Sequence, residues 1–137
     1  MSSSIRVAIL GEGLAGACLL HALLNHPHLD VHIFESAAEF KEAGAAIGVT
    51  LNGLDALGLI GSSAPRPPDV LSVQAPHPHG RRRLTSIVHR AAVLRELLGG
   101  VPPERMHASR ILARVERAAQ EDGPVTLHFA DGTTHEL

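Results

Sequence analysis

Hydrophobic and polar positions follow two different periods along the first 40 residues, and the change of period outlines a strand, a helix and a second strand. Ile5-Arg6-Val7-Ala8-Ile9-Leu10 is a short, almost unbroken apolar run that stops at Gly11, the pattern of a strand buried on both faces of a parallel sheet. Beyond Leu14 the apolar and small residues fall at 15, 18, 19, 22 and 23, a helical spacing, and Asn25-His26-Pro27 marks its end. Val31-His32-Ile33-Phe34-Glu35 is β-branched and aromatic and reads as the second strand. Strand, helix and strand within about 31 residues make a βαβ unit, whose right-handed crossover sets the two strands parallel.

The pattern is looser further on. Residues 44–50 are a small-residue loop or extended segment, and 52–59 predict a short helix ended by Gly61. Five prolines between 62 and 80 predict an irregular connection with one strand at 70–73. Arg90–Leu98 is helical, with Ala92, Val93, Leu94, Leu97 and Leu98 as its apolar stripe ahead of Gly99-Gly100. Residues 111–115 and 125–130 predict strands, and Asp131-Gly132 predicts the hairpin turn into 133–137. The expected class is α/β: a Rossmann-like parallel sheet with a peripheral β-hairpin or meander, one domain, and no internal repeat.

Composition narrows the possible functions. The 137 residues are 45% hydrophobic and 19% charged, which is the balance of a chain that folds. Twelve basic against fourteen acidic residues give a net charge of -2, so no overall field attracts nucleic acid or an anionic membrane. Aromatic residues make up only 2%, all phenylalanine, which leaves little for stacking bases. A single cysteine, Cys18, excludes an internal disulfide, and the N-terminus lacks a secretory pattern, so the expected compartment is the cytoplasm. No apolar run is long enough to span a bilayer.

Candidate chemistry concentrates at Gly11-Glu12-Gly13-Leu14-Ala15-Gly16. This is G-x-G-x-x-G between a predicted strand and a predicted helix. Gly11 allows the tight turn, Gly13 the approach of a pyrophosphate to the backbone, and Gly16 close helix-sheet packing, while the amides of the helix N-terminus face the anion. The acid ending the next strand, Glu35, stands about 20 residues on, where it meets ribose hydroxyls; its charge repels a 2′-phosphate and favours FAD or NAD over NADP. Other candidates are declined. His26 with His28, and His77 with His79, lie in proline-containing connections without a companion ligand set. Arg81-Arg82-Arg83 is too short for a nucleic-acid cluster. Cys18 reads as a small packed residue, and Ser86 with His89 lacks an orienting acid.

With these residues in place, the chain resembles the FAD-binding domain of the class A flavoprotein aromatic hydroxylases, similar to salicylate hydroxylase and para-hydroxybenzoate hydroxylase. Three further stretches carry the likeness: residues 42–48 with the helix that follows, Val88-His89-Arg90-Ala91-Ala92-Val93-Leu94 as an H-R-x-x-L element, and residues 125–133 as the family's hairpin. The resemblance implies that Gly11, Gly13, Ala15 and Gly16 meet the FAD pyrophosphate and Glu35 the adenosine ribose. It implies that Gly48 approaches the cofactor through its backbone and that Arg90 contacts FAD. In the family, NADH or NADPH reduces FAD transiently, and oxygen then hydroxylates a small aromatic substrate.

The family's later Asp-Gly and Gly-Asp elements and its substrate-binding sheet have no counterpart in residues 1–137. The expectation is therefore a partial FAD-binding domain over 1–137, without a substrate domain and without a catalytic residue of its own. Apolar sheet surface left uncovered would then favour self-association. Two other readings stand beside this one. A small NAD-dependent oxidoreductase needs a Tyr-Lys or His-acid set, against which stand the absence of Tyr and a single lysine, Lys41. The other is a non-catalytic nucleotide-binding or interaction module.

Overall fold

A computed structural model describes residues 4–40, 46–62, 71–75, 83–120 and 123–137. Two compact units emerge, one formed by Met1–Phe40 with Val101–Leu137 and the other by Lys41–Gly100.

In the first unit, strand β1 (Ile5–Leu10), helix α1 (Leu14–Leu23) and strand β2 (Leu29–Phe34) form the expected βαβ unit. β1 and β2 run parallel from Ile5 opposite Leu29 to Leu10 opposite Phe34. Alternation along β2 assigns its residues to two layers. Val31 and Ile33 are fully buried on the face shared with α1, whose Ala17 and Leu20 are also sealed. On the other face Phe34 packs with Leu127 and Phe129 of a second, antiparallel sheet, and Ala8, Leu112 and Leu137 close around them.

That second sheet is an antiparallel meander. It consists of β7 (Leu112–Arg117), β8 (Val125–Phe129) and β9 (Thr134–Glu136) in that order, with Gly132 at φ +84° in the turn. The Asp131 carboxylate fastens the turn by accepting from the Thr133 amide (2.9 Å) and hydroxyl (2.6 Å). The predicted hairpin is thus present, and the strand at 111–115 begins one residue later and runs to Arg117.

Two features of this unit depart from the sequence expectation. β1 is at the edge of the described parallel sheet, with Ile5 60% and Leu10 48% exposed, so the apolar run is not sealed on both faces. The third parallel strand is β6, only Met106–His107, which joins β2 opposite Ile33 and Phe34 after a short 3-10 turn at Pro103–Arg105. Two residues hold too little pattern to announce a strand.

The second unit is a three-stranded antiparallel sheet among the described residues, in the order β3 (Ala46–Thr50), β5 (Arg83–His89), β4 (Leu71–Ala75). β3 is the extended reading of residues 44–50, of which 44 and 45 lie outside the described residues. β4 is the strand expected near 70–73. β5 was not expected from its pattern, since Thr85 and Ser86 interrupt its apolar residues.

Helix α2 (Leu51–Leu59) leaves β3 directly. It ends where Gly61 takes φ +81°, with the Gly61 amide on the Gly58 carbonyl and the Ser62 amide on the Leu57 carbonyl. This is the paired closure that a left-handed residue after a helix makes possible. Helix α3 (Arg90–Leu98), with the predicted bounds, follows β5 and buries Val93, Leu94 and Leu97.

Candidate functional site

The glycine-rich turn is built by three different physical demands. The Gly11 amide donates to the Phe34 carbonyl at 2.8 Å, which extends the β1–β2 ladder one step past Leu10. Its backbone then turns at φ +99°, where a side chain is strained whatever the space around it. Gly16 is required by contact: a Cβ there would lie 2.1 Å from the Gly11 carbonyl oxygen, with the Ile9 side chain 3.4 Å away. Gly13 is different, because a Cβ on it would meet nothing within 4 Å.

Gly13 is the N-cap of α1. No side chain caps this helix and its first turn holds no acid, so no side chain of the helix itself offsets its positive end. The first helical bond runs from the Ala17 amide to the Gly13 carbonyl at 2.9 Å. Gly13 and Ala15 are exposed at this end, and Gly16 is half-buried.

Glu35 lies at the end of β2 and reaches the same turn. Its Oε2 accepts the Glu12 amide at 2.8 Å, and its Oε1 accepts the Ala37 amide at 2.7 Å and the Ser36 hydroxyl at 2.9 Å. The Ala37 and Glu12 amides, in that order, hold the carboxyl below the usual carboxylate range, with burial opposing them. The charge is therefore kept, and a carboxylate with about four acceptor positions retains room for a further donor. The backbone of Glu35 is also pinned, its amide donating to the His107 carbonyl (2.8 Å) and its carbonyl accepting from the Arg110 amide (2.7 Å).

The first unit thus brings together Gly11, Gly13, Ala15, Gly16 and Glu35. Gly48 and Arg90 belong to the second unit. Gly48 is exposed in the middle of β3, opposite Ile87 of β5, and Arg90 is the first residue of α3. The sequence reading missed the part of Glu12, whose amide ties the turn to Glu35, and of Ser36 and Ala37. An acid at a strand end followed by small residues was the available signal, since such a carboxylate readily accepts from the backbone two residues on.

Cys18 is half-buried, and burial pushes its thiol up, away from reactive thiolate. His26 and His28 are exposed, and no group of three or more His, Cys, Asp or Glu among the described residues is arranged to hold a metal. His77, His79, Arg81 and Arg82 lie outside the described residues. Among the described residues no helix is long and apolar enough to cross a membrane.

Known proteins resemble the chain over nearly its whole length. The chain is 31% identical to 6-hydroxynicotinate 3-monooxygenase of Pseudomonas fluorescens over 99% of its own length. It is 29% identical to 6-methylsalicylate 1-monooxygenase of Aspergillus terreus over 97%. Its homologues are FAD-dependent aromatic monooxygenases. It spans 39% and 35% of the length of these two relatives.

The matched spans of 162 and 163 positions exceed the chain's 137 residues, so these monooxygenases carry residues inside the span that this chain lacks. The fold agrees: HpxO of Klebsiella pneumoniae, solved with FAD and uric acid, matches at a TM-score of 0.72 and 21% identity, over 99% of this chain and 38% of that one. No family model matches the chain.

Proposed function

We propose that the chain is the FAD-binding portion of a flavin-dependent monooxygenase, and that FAD lies with its pyrophosphate at the N-terminus of α1. The observation that carries this is the uncapped helix end. Gly11 and Gly13 leave it unobstructed, Gly16 lets the helix pack closely behind it, and a charged carboxylate, Glu35, is hydrogen-bonded into the same turn. The residues fit the cofactor: a diphosphate finds amide donors and a favourable dipole at Leu14, Ala15 and Gly16. Open space at Gly13 lets it come close. Glu35 accepts an adenosine ribose hydroxyl, and its retained charge disfavours a ribose that bears a 2′-phosphate.

Gly48 and Arg90 are proposed as separate cofactor contacts carried by the second unit. The one offers backbone without a side chain and the other a guanidinium suited to phosphate or ribose oxygens. When bound, the flavin supplies electron transfer from NADH or NADPH to dioxygen and oxygen transfer to a small aromatic ring. That hydroxylation belongs to the whole protein, and the residues of this chain bind and orient the cofactor. No residue of the chain is assigned as acid, base or nucleophile. The reading places the protein in the cytoplasm, and has copies self-associate through exposed apolar side chains such as Ile5, Leu10 and Ile111.

Calorimetric titration of the chain with FAD, NAD and NADP, with Glu35→Ala alongside, tests the proposal. FAD binding that is lost in the variant supports it. Binding of NAD alone favours a nicotinamide-dependent oxidoreductase, and binding of none makes the glycine turn a fold element only.

A further inference from the structure

Three histidines far apart in sequence meet between the two sheets of the first unit. His32 comes from β2, His107 from β6 and His135 from β9. The His32 and His107 rings stack with centroids 5.2 Å apart, and His135 lies 5.3 Å from His32 and 6.2 Å from His107. Phe34 packs against both His107 (4.6 Å) and His135 (4.9 Å). The cluster therefore continues the Phe34, Leu127 and Phe129 core that joins the parallel sheet to the meander. Among the described residues no group of three or more His, Cys, Asp or Glu is arranged to hold a metal.

A hydrogen bond links two of the rings, His32 Nδ1 to His107 Nε2 at 2.9 Å. It requires one nitrogen to donate and the other to offer a lone pair, so it exists only while at least one of the two rings is neutral. The carboxylates nearest the cluster already have other partners. On β2, Asp30 lies 3.4 Å from His32 Nε2 but is already paired with Arg105 of the 3-10 turn at 2.9 Å. On β1, Arg6 faces His135 and pairs with Glu136 of β9 at 3.6 Å. Arg110, in the segment after β6, adds positive charge beside His107 and is itself paired with Asp131. The Glu35 carboxylate is engaged by the Glu12 and Ala37 amides. On β8, Leu127 stands opposite His135, while His128 pairs with Glu116.

We propose that His32, His107 and His135 form a proton-sensitive latch that holds the β7–β8–β9 meander on the parallel sheet while His107 and His135 are neutral and loosens it when they take up protons. Burial is the first cause that holds His107 and His135 below the ordinary histidine range, with the charge of His32 next. The sign follows from these depressed values. Above a pH of roughly 6.5 both rings are neutral in the folded and unfolded chain. As pH falls below that value the unfolded chain takes up protons first, so the stabilisation is lost progressively on acidification.

Thermal melts between pH 7.5 and 5.5 test the latch, on the wild-type chain and on His107→Gln, His135→Phe and the double variant. The expected result is a wild-type fall of about 5 °C or more, at least halved in the double variant. Equal falls in both overturn the proposal. Should the variants not fold, proton NMR of the wild-type imidazoles decides, together with amide exchange corrected for its intrinsic pH dependence. Two of the ten histidines titrating below the ordinary range, with β8 and β9 losing protection ahead of β3 and β5, support the latch. Ordinary titration of every histidine, or equal loss in both units, overturns it.

Discussion

Helices α1 and α2 are nearly equal in length, 10 and 9 residues, and both are rich in leucine and small residues. Only α1 buries side chains completely. Ala17 and Leu20 are sealed against β1 and β2, whereas α2 has no buried residue and leaves Leu51 51% and Leu59 88% exposed. The difference lies in topology more than in composition. α1 is the crossover between two parallel strands and must lie flat on them, and Gly16 lets it come within contact of the Gly11 carbonyl. α2 follows an antiparallel strand, a connection that leaves burial to local packing, since α3 after β5 does bury Val93, Leu94 and Leu97. A similar contrast separates single glycines: Gly11 and Gly16 are required by backbone geometry, while Gly48 is one position in a regular ladder.

The contrast can be broken at several points, most severely at Gly16. Gly16→Ala forces a methyl onto a backbone oxygen that cannot swing away, and urea denaturation should show a loss of about 3 kcal/mol. Leu20→Ala, by emptying the α1 interface, should cost about 2 to 4 kcal/mol in the same measurement, against roughly 0.5 or less for Leu59→Ala on α2. Comparable losses for the two leucines would remove the asymmetry between the helices.

Glu35→Gln sharpens the picture at the turn. It weakens a charge-assisted acceptor, and a stability loss of about 1 kcal/mol is expected at neutral pH. Because the folded carboxyl is held down by the Ala37 and Glu12 amides, its contribution is present above roughly pH 4.5 and fades as pH falls through the lower folded value. Glu35→Gln should flatten that part of an acid-unfolding curve, a window separate from the histidine one. The smallest change in stability is expected for Gly13→Ala, about 0.5 kcal/mol or less, because nothing lies near the new methyl. Its effect should be on FAD affinity by calorimetry, and unchanged affinity would deny the helix end its role.

Much of this was legible because it is local. The apolar run, the glycine spacing and Glu35 lie within one βαβ unit, where pattern and turn chemistry act over a few tens of residues. The hairpin at Asp131-Gly132 was legible for the same reason. β5 was not, because Thr85 and Ser86 break its pattern and its strand character comes from pairing with β3 and β4 on either side. The edge position of β1 was equally hidden, since an apolar run states what a strand can bury and not how many neighbours it has.

By itself the sequence determined the βαβ unit, the glycine turn, the acid that faces it and the family that the order of elements resembles, because each is written in neighbouring residues with a backbone reason for their identity. Tertiary structure alone decided that a two-residue strand at Met106–His107 would complete the parallel sheet, that the Glu12 amide would tie the turn to Glu35, and that His32, His107 and His135 would share one space. Those meetings join residues up to about a hundred positions apart. They exist only once the layers have packed, when loop closure has been offset by buried surface.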